Sequence, residues 1–135
     1  MKIKKIWFED DNLCGEGDDG KIYRQSLLWY PGLRNATEMA REDYEISTIG
    51  IHWRKLDEDV SFESFMYEDA EPTPLQRFFL THEEINIAGF AKSIGIDPVL
   101  LRKYINGNEK PSKEREEKII KRVHELAGEY AAVLW

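Results

Sequence analysis

Hydrophobic and polar residues have a different periodicity in the two halves of the chain. In the first half, apolar residues alternate with polar ones over short runs such as Lys2–Phe8 and Lys21–Leu27, which is typical of β-strands. In the second half they recur every three or four residues, as in Leu75, Phe78 and Phe79, which indicates helices. The sequence therefore predicts an α+β fold, in which a small N-terminal β-hairpin or sheet with short helices is followed by an all-α domain.

The strand-forming half contains two recognisable turns. Asp10–Asn12 is expected to end the first strand, and a second extended piece begins at Leu13. Asp18–Gly20 contains the Asp-Gly pair that tight hairpin turns favour. Gly15 and Gly17 leave the second strand poor in side chains, which is typical of a bulge or an irregular edge. These signals predict three consecutive strands joined by short turns.

Beyond the third strand the pattern predicts short and irregular elements. Pro31–Gly32 is expected to break the chain, and Thr37 is placed to cap a short helix that runs through Arg41. Tyr44–Ile51 has the composition of another extended segment. Ser61 is placed to cap a last short helix before the domain ends.

A change of composition divides the chain at the stretch EDAEPTP. These residues, 68–74, include two prolines and no large apolar side chain, as connectors between domains do. We therefore predict an α+β domain over residues 1–69, a linker at 70–74 and a helical domain over 75–135.

The helical half contains two helices joined by a tight turn. Asn86 can cap a helix over Ile87–Ile94, and Gly95 is the residue best able to take the left-handed geometry of the turn. Asp97 can cap the second helix, which begins with Pro98 and runs to Asn106. The spacing predicts a helix–turn–helix motif.

The outward face of the second motif helix carries side chains suited to DNA. Arginine, lysine and asparagine can hydrogen-bond base edges or phosphates, and a single helix of this kind fits the major groove. The candidate DNA-binding residues are Pro98, Val99, Arg102, Lys103, Asn106, Lys110 and Lys113. A helical bundle that keeps the same pattern only for packing or protein contact is the alternative.

A long helix ends the sequence. Ser112 can cap a helix from Lys113 to near Leu134, whose apolar residues recur at steps of three and four and form one face. Because the far end of this face is longer than so small a domain can cover, a homodimer contact is expected there, through Tyr130, Leu134 and Trp135, or through the first domain.

The charge of the chain is distributed unevenly between its two halves. The net charge of −7 comes from residues 1–73, which hold 9 Lys plus Arg against 17 Asp plus Glu, whereas residues 74–135 hold 10 against 9. Because local surface charge decides attraction to phosphate, the acidic total does not exclude nucleic-acid binding by the second half.

The lone Cys14 excludes an internal disulfide, and no apolar run nears the roughly 18 residues of a membrane span. A cytoplasmic protein is expected.

One cluster in the first half has the residue types of a catalytic or metal site. His52 stands near Asp57, Glu58 and Asp59, but this spacing does not show that the side chains converge. We expect His52 to hydrogen-bond within the fold, with one carboxylate capping a turn and the others in water. No catalytic residue, metal or cofactor is predicted, and Cys14 is expected to be a packed thiol.

Both halves resemble known families. GKIYRQSLLWYPGLRNAT, YEIS and GIHWRKLDEDVSFESF, within residues 1–67, resemble the bacterial domain of unknown function 2442, for which no activity is agreed. Arg54 stands where that family usually has proline. Residues 74–130, with FAKSIGI and YINGNEKPS, resemble lambda-repressor-like, Xre-type DNA-binding domains, although Ile87 and Ala88 replace the polar residues that often begin the first motif helix.

Together these features predict a sequence-specific, DNA-binding transcription regulator that binds double-stranded DNA as a homodimer. Because relatives of the first half often lie beside small toxin-like proteins, the resemblance also implies a toxin-like partner and an antitoxin-like autoregulator. The alternative is a protein-interaction module whose helix–turn–helix is only a scaffold. An enzyme ranks third, since it depends on the His52 cluster alone.

Overall fold

A computed structural model describes residues 1–67 and 71–134, and the chain divides into two compact units, Met1–Thr73 and Pro74–Trp135. The first unit contains two three-stranded antiparallel sheets and short helices, and the second is helical. The predicted α+β class is therefore confirmed. Residues 68–70, with which the EDAEPTP connector begins, lie outside the described residues.

The first sheet is a meander of three neighbouring strands. The strands are β1 (Ile3–Glu9), β2 (Asn12–Gly17) and β3 (Ile22–Ser26). Asp10 and Asp11 have φ values of 49° and 63° and form the two-residue turn between β1 and β2. Gly20, with φ of 79°, lies in the turn between β2 and β3. The three predicted strands and both turns are confirmed.

The glycines of β2 serve close packing. A Cβ on Gly15 would lie 2.9 Å from Ile3 Cγ2 and 3.2 Å from a ring carbon of Phe65, so a side chain there would displace the core. The β1–β2 register shifts between Ile3 and Lys5, opposite Gly17 and Glu16, so the pairing is irregular beside Gly17 and the extra residue lies in β1.

The second sheet contains a hairpin that the sequence pattern did not predict. Its strands are β4 (Glu45–Ile46), β5 (Gly50–Trp53) and β6 (Glu58–Ser61), in that order. The prediction of one extended segment over Tyr44–Ile51 is wrong, because the chain reverses after Ile46. The Ser47 N–H donates to the Gly50 carbonyl at 2.9 Å and closes the turn.

Short helices join the two sheets and end the unit. They are a 3-10 helix at Leu27–Trp29, α1 (Pro31–Arg34), α2 (Glu38–Glu42) and a 3-10 helix at Glu63–Met66. Pro31 begins α1, so the expected break at Pro31–Gly32 was wrong: the fixed φ of proline suits the first helical position. Thr37 caps α2 as predicted, and Ser61 Oγ accepts the Ser64 N–H at 3.1 Å.

The core of the first unit forms around Trp53. The indole is fully buried, and its Nε1–H donates to the Arg41 carbonyl at 2.8 Å, so its polar group is satisfied. Cys14 is buried too, and burial raises the pKa of its thiol, as fits a packed side chain. The buried cluster comprises Ile3, Leu13, Leu27, Leu33, Ile51, Trp53, Val60, Phe62 and Phe65.

The second unit consists of four described helices. They are α3 (Pro74–Leu80), α4 (Ile87–Ser93), α5 (Pro98–Ile105) and α6 (Lys113–Ala131). The side chains of Asn86, Asp97 and Ser112 cap α4, α5 and α6, as predicted. The last helix ends at Ala131 rather than near Leu134.

A tight turn joins α4 to α5. Gly95 has φ of 70°, its N–H donates to the Lys92 carbonyl at 3.2 Å, and the Ile96 N–H donates to the Ala91 carbonyl at 2.9 Å. This pair of bonds is a Schellman motif, in which glycine supplies the left-handed residue. Ala91 and Ile96 are both buried beneath the turn, so the turn also belongs to the core.

Helix α5 is fixed from two sides. The Gln76 Nε2 of α3 donates to the Tyr104 carbonyl at 2.9 Å, and Arg115 of α6 donates to the Tyr104 hydroxyl at 3.4 Å. Phe79 and Phe90 pack edge to face beside it, with ring centroids 5.2 Å apart. The buried cluster comprises Phe79, Phe90, Ala91, Ile96, Leu101, Tyr104, Ile105 and Ile119.

Candidate nucleic-acid interface

Helix α5 has one buried side and one solvent-facing side. Leu101, Tyr104 and Ile105 are buried in the core of the second unit. The residues of the solvent-facing side lie together because a helix brings residues three or four positions apart to the same face. They are Pro98, which is half-buried, and Val99, Arg102, Lys103 and Asn106, which are exposed. These five residues, here called the α5 face, are the first five DNA-binding candidates.

The polar side chains of the α5 face have no protein partner among the residues that the structure describes. Arg102, Lys103 and Asn106 make no side-chain hydrogen bond and no ion pair within residues 1–67 and 71–134. Arg122 of α6 behaves differently, because its guanidinium bonds to Glu125 at 3.1 Å and to Ser93 at 3.2 Å. The donors of the α5 face are therefore available to an external ligand.

The other two candidates lie beyond the end of α5. Lys110 is in the connection to α6, and Lys113 is the first residue of α6. Both are exposed, and neither has an ion pair in the described part of the chain. They follow the α5 face along the chain and are two further exposed cations.

Acidic residues limit the positive charge around these cations. Glu109 precedes Lys110, and Glu114 and Glu116 follow Lys113 in the first turn of α6, where the helix dipole favours anions. The second unit as a whole, residues 74–135, has a net charge of only +1. Attraction to phosphate is therefore weak here.

The His52 cluster has a different arrangement from the one its sequence suggests. His52 Nδ1 lies 2.7 Å from Asp59 Oδ1, and Nε2 lies 2.7 Å from Ser47 Oγ. Because a carboxylate only accepts, Nδ1 is the donor, and in the neutral imidazole Nε2 accepts the Ser47 hydroxyl proton. The contact between Ser47 and His52 was not predicted from the sequence, because it forms across a hairpin that was not predicted.

This serine is committed to its turn. Ser47 Oγ accepts the N–H groups of Ile49 and Gly50, each at 3.2 Å, and its hydroxyl lies 2.7 Å from His52 Nε2 and 3.3 Å from the Gly50 carbonyl oxygen. The hydroxyl therefore has partners in its own turn and in His52, and these bonds stabilise the hairpin. The network of Ser47, His52 and Asp59, here called the hairpin network, holds the β4–β5 turn against β6.

The other two carboxylates point away from His52. The Gly32 N–H bonds to the Glu58 carboxylate, and partial burial raises the pKa of Glu58. Asp57 is exposed and takes a left-handed φ of 52° at the end of a short 3-10 turn. Among the described residues no group of three or more His, Cys, Asp or Glu side chains is placed to hold a metal ion.

Comparison with known proteins identifies the first unit. A family model described as "Protein of unknown function (DUF2442)" matches residues 3–71, just over half of the chain. No curated protein and no solved structure matches. Within the described residues, no helix has the length and apolar character that crossing a membrane requires. The match confirms the resemblance of the first half, and the chain therefore belongs to the DUF2442 family.

Proposed function

We propose that the second unit is a lambda-repressor-like, Xre-type DNA-binding domain and that the protein is a sequence-specific transcription regulator. In this proposal α5 is the recognition helix and enters the major groove. The observation that carries the proposal is the α5 face, where Arg102, Lys103 and Asn106 are exposed together without a partner among the residues that the structure describes. Hydrogen-bond donors left free on a rigid helix are what direct readout of base edges needs.

The geometry around α5 favours this role. A recognition helix must be held firmly, since its side chains have to meet base edges with good hydrogen-bond geometry. Helix α5 is anchored through Tyr104 to both α3 and α6, and the Schellman turn fixes its first residues. The outward side chains can then act from a fixed backbone.

Each candidate has a role that follows from its chemistry. Arg102 is suited to the two acceptors of guanine, and Asn106 to the donor and acceptor of adenine. Lys103, Lys110 and Lys113 are suited to phosphates, which position the protein without reading sequence. Since few cations are present, we expect the affinity to fall with salt by about 0.9 log units per log unit for each phosphate contacted.

We further propose that the protein binds DNA as a homodimer. One recognition helix reads a half-site, and a two-fold dimer reads two half-sites about 34 Å apart. The end of α6 offers a surface for this contact, because Tyr130 is 70%, Val133 71% and Leu134 91% exposed; Trp135, also expected there, lies outside the described residues. The toxin-like partner and the antitoxin-like role stay predictions of the family resemblance.

The same exposed end of α6 supports the second candidate, a protein-interaction module. Apolar side chains in water are costly unless a partner covers them. In that case the α5 face would be a solvated surface and the helix–turn–helix a scaffold. DNA binding separates the two candidates.

Enrichment from a random pool of double-stranded DNA tests the proposal directly. The full chain is immobilised at low salt, and bound oligonucleotides are sequenced over successive rounds. We expect a motif with two related half-sites, bound much more tightly than random DNA. A pool that stays random after repeated rounds at low salt would contradict the proposal and favour the interaction module.

A further inference from the structure

One apolar side chain interrupts the polar α5 face. Val99 is 60% exposed, although it lies on the same side of α5 as Arg102 and Lys103. It belongs neither to the buried cluster of the second unit nor to the side chains packed against that cluster. Core packing therefore does not explain a large apolar residue at this position.

The start of α5 is unsuited to a phosphate. The Asp97 carboxylate lies there and accepts the Val99 N–H at 2.8 Å, so the position carries a negative charge and one of its backbone donors is occupied. The first cation of α5, Arg102, comes one turn later. A DNA phosphate beside Asp97 would be repelled, so the first turn of α5 fits the uncharged edge of a base.

From these features we infer that Val99 selects a pyrimidine that carries a methyl group on C5. The inference rests on the proposed function, since it requires α5 to lie in the major groove. The thymine C5-methyl is the one apolar group that the four ordinary bases present in that groove. An exposed, rigid, β-branched side chain at the tip of the recognition helix complements that group, and 5-methylcytosine offers the same chemistry.

The position of the selected base follows from helix geometry. Val99 and Arg102 are three residues apart, which separates them by about 4.5 Å along the helix axis. Base pairs are about 3.4 Å apart along the DNA axis. The methyl-bearing pyrimidine is therefore expected one or two base pairs from the purine that Arg102 contacts.

The size of the effect follows from the area of one methyl group. Burying a single methyl or methylene group changes an equilibrium by about fourfold at room temperature. Removing the methyl group from the selected base in one half-site should weaken binding by about this factor. The effect is small enough that the complex still forms and can be measured.

Base analogues test the inference on the enriched DNA site. Each thymine is replaced in turn by uracil, which removes only the methyl group, and affinity is measured by fluorescence anisotropy with the full chain. At the selected position, cytosine and 5-methylcytosine are also compared. We expect one position per half-site at which uracil binds about fourfold more weakly than thymine, and at which 5-methylcytosine binds more tightly than cytosine.

The Val99→Ala variant tests whether Val99 is the residue that distinguishes thymine from uracil. It should bind thymine and uracil sites equally, whereas Ile49→Ala, which shortens an exposed β-branched side chain in the first unit, should keep the wild-type ratio. Because Val99 is exposed, the variant should fold, and circular dichroism checks this. A thymine-to-uracil ratio near one at every position in the wild type, or an unchanged ratio in Val99→Ala, would overturn the inference while leaving DNA binding intact. Failure to enrich any site would overturn the proposed function as well.

Discussion

The hairpin network and the α5 face both consist mainly of polar side chains, but they differ in whether those side chains have hydrogen-bond partners within the protein. In the hairpin network, Ser47, His52 and Asp59 bond to one another at 2.7 Å, and the turn N–H groups complete the set. On the α5 face, the donors of Arg102, Lys103 and Asn106 have no protein partner among the described residues. Polar residues that satisfy each other hold a fold, whereas those that a rigid helix leaves unsatisfied are available for recognition.

The same contrast extends to the charged residues of the two units. In the first unit, Arg34 pairs with Asp11 at 3.1 Å, Arg54 with Glu45 at 3.0 Å and Lys55 with Asp43 at 3.3 Å. These pairs are exposed, so each contributes little to stability. They nevertheless neutralise three of the nine Lys and Arg residues of this acidic unit. On the α5 face, by contrast, Arg102 and Lys103 have no ion pair among the described residues, so the net charge of the whole chain says little about this surface.

The largest expected effect separates the two units. Trp53→Ala removes the fully buried centre of the first core and should cost about 3–5 kcal/mol. Because the units form separate compact cores, hydrogen exchange should rise in peptides from residues 1–67 and stay low in α5 and α6.

Trp7→Ala, the same change at a half-buried tryptophan, is the matched control and should cost clearly less than Trp53→Ala. The outcome that would break the division into units is equal loss of protection in both halves of the Trp53→Ala protein. That result would mean that one cooperative core spans the chain.

A smaller effect is expected from the hairpin network. Ser47→Ala leaves two turn N–H groups and His52 without their partner, so it should lower the free energy of unfolding by about 1 kcal/mol. Thr48→Ala, in the same turn, removes a hydroxyl that makes no hydrogen bond among the described residues, and it should change little. Urea denaturation measures both, and equal stability of the two variants would show that the network is incidental.

The smallest expected effect is a change in pH dependence. Partial burial raises the pKa of Glu58 above its ordinary 4.5, so the folded state binds this proton more tightly than the unfolded state does. Stability from this group is present at low pH and is lost as the pH rises through the raised value. Glu58→Gln stays neutral and should remove this loss, which makes the variant slightly more stable at pH 7.

Thermal unfolding at a series of pH values checks the sign of that effect. Glu63→Gln, at an exposed carboxylate, controls for the loss of one negative charge in the same unit. If Glu58→Gln is less stable than wild type at pH 7, the hydrogen bond from Gly32 outweighs the burial of the charge, and the account of this residue is wrong.

Local signals in the sequence were sufficient for the helical unit. The caps Asn86, Asp97 and Ser112 and the turn glycine Gly95 act within four residues of their own position. Such signals depend on backbone chemistry that is the same in every protein. For this reason the starts of the helices and the outward face of α5 were predictable, while DNA binding itself stays a prediction.

The first unit was less predictable because its structure depends on contacts between distant residues. The turn after Ile46 contains no glycine, asparagine or aspartate, and a serine side chain closes it instead. Gly50 follows this turn because a Cβ there would lie 2.4 Å from the Val60 carbonyl oxygen of β6. Neither reason can be read from the local pattern, and the hairpin network could not be predicted without the hairpin.

The most direct test of the account is the affinity of Arg102→Ala for the enriched DNA site, with Arg54→Ala as the control. Both variants lose one exposed arginine and the same charge, but Arg54 is paired with Glu45 in the first unit, whereas Arg102 on the α5 face has no partner in the part of the chain that the structure describes. We expect Arg102→Ala to weaken binding by about 1–3 kcal/mol and to relax base preference at one position. Its unfolding free energy should stay within about 0.5 kcal/mol of wild type, and Arg54→Ala should bind as wild type does. Equal affinities for the two variants would contradict the assignment of α5 as the recognition helix.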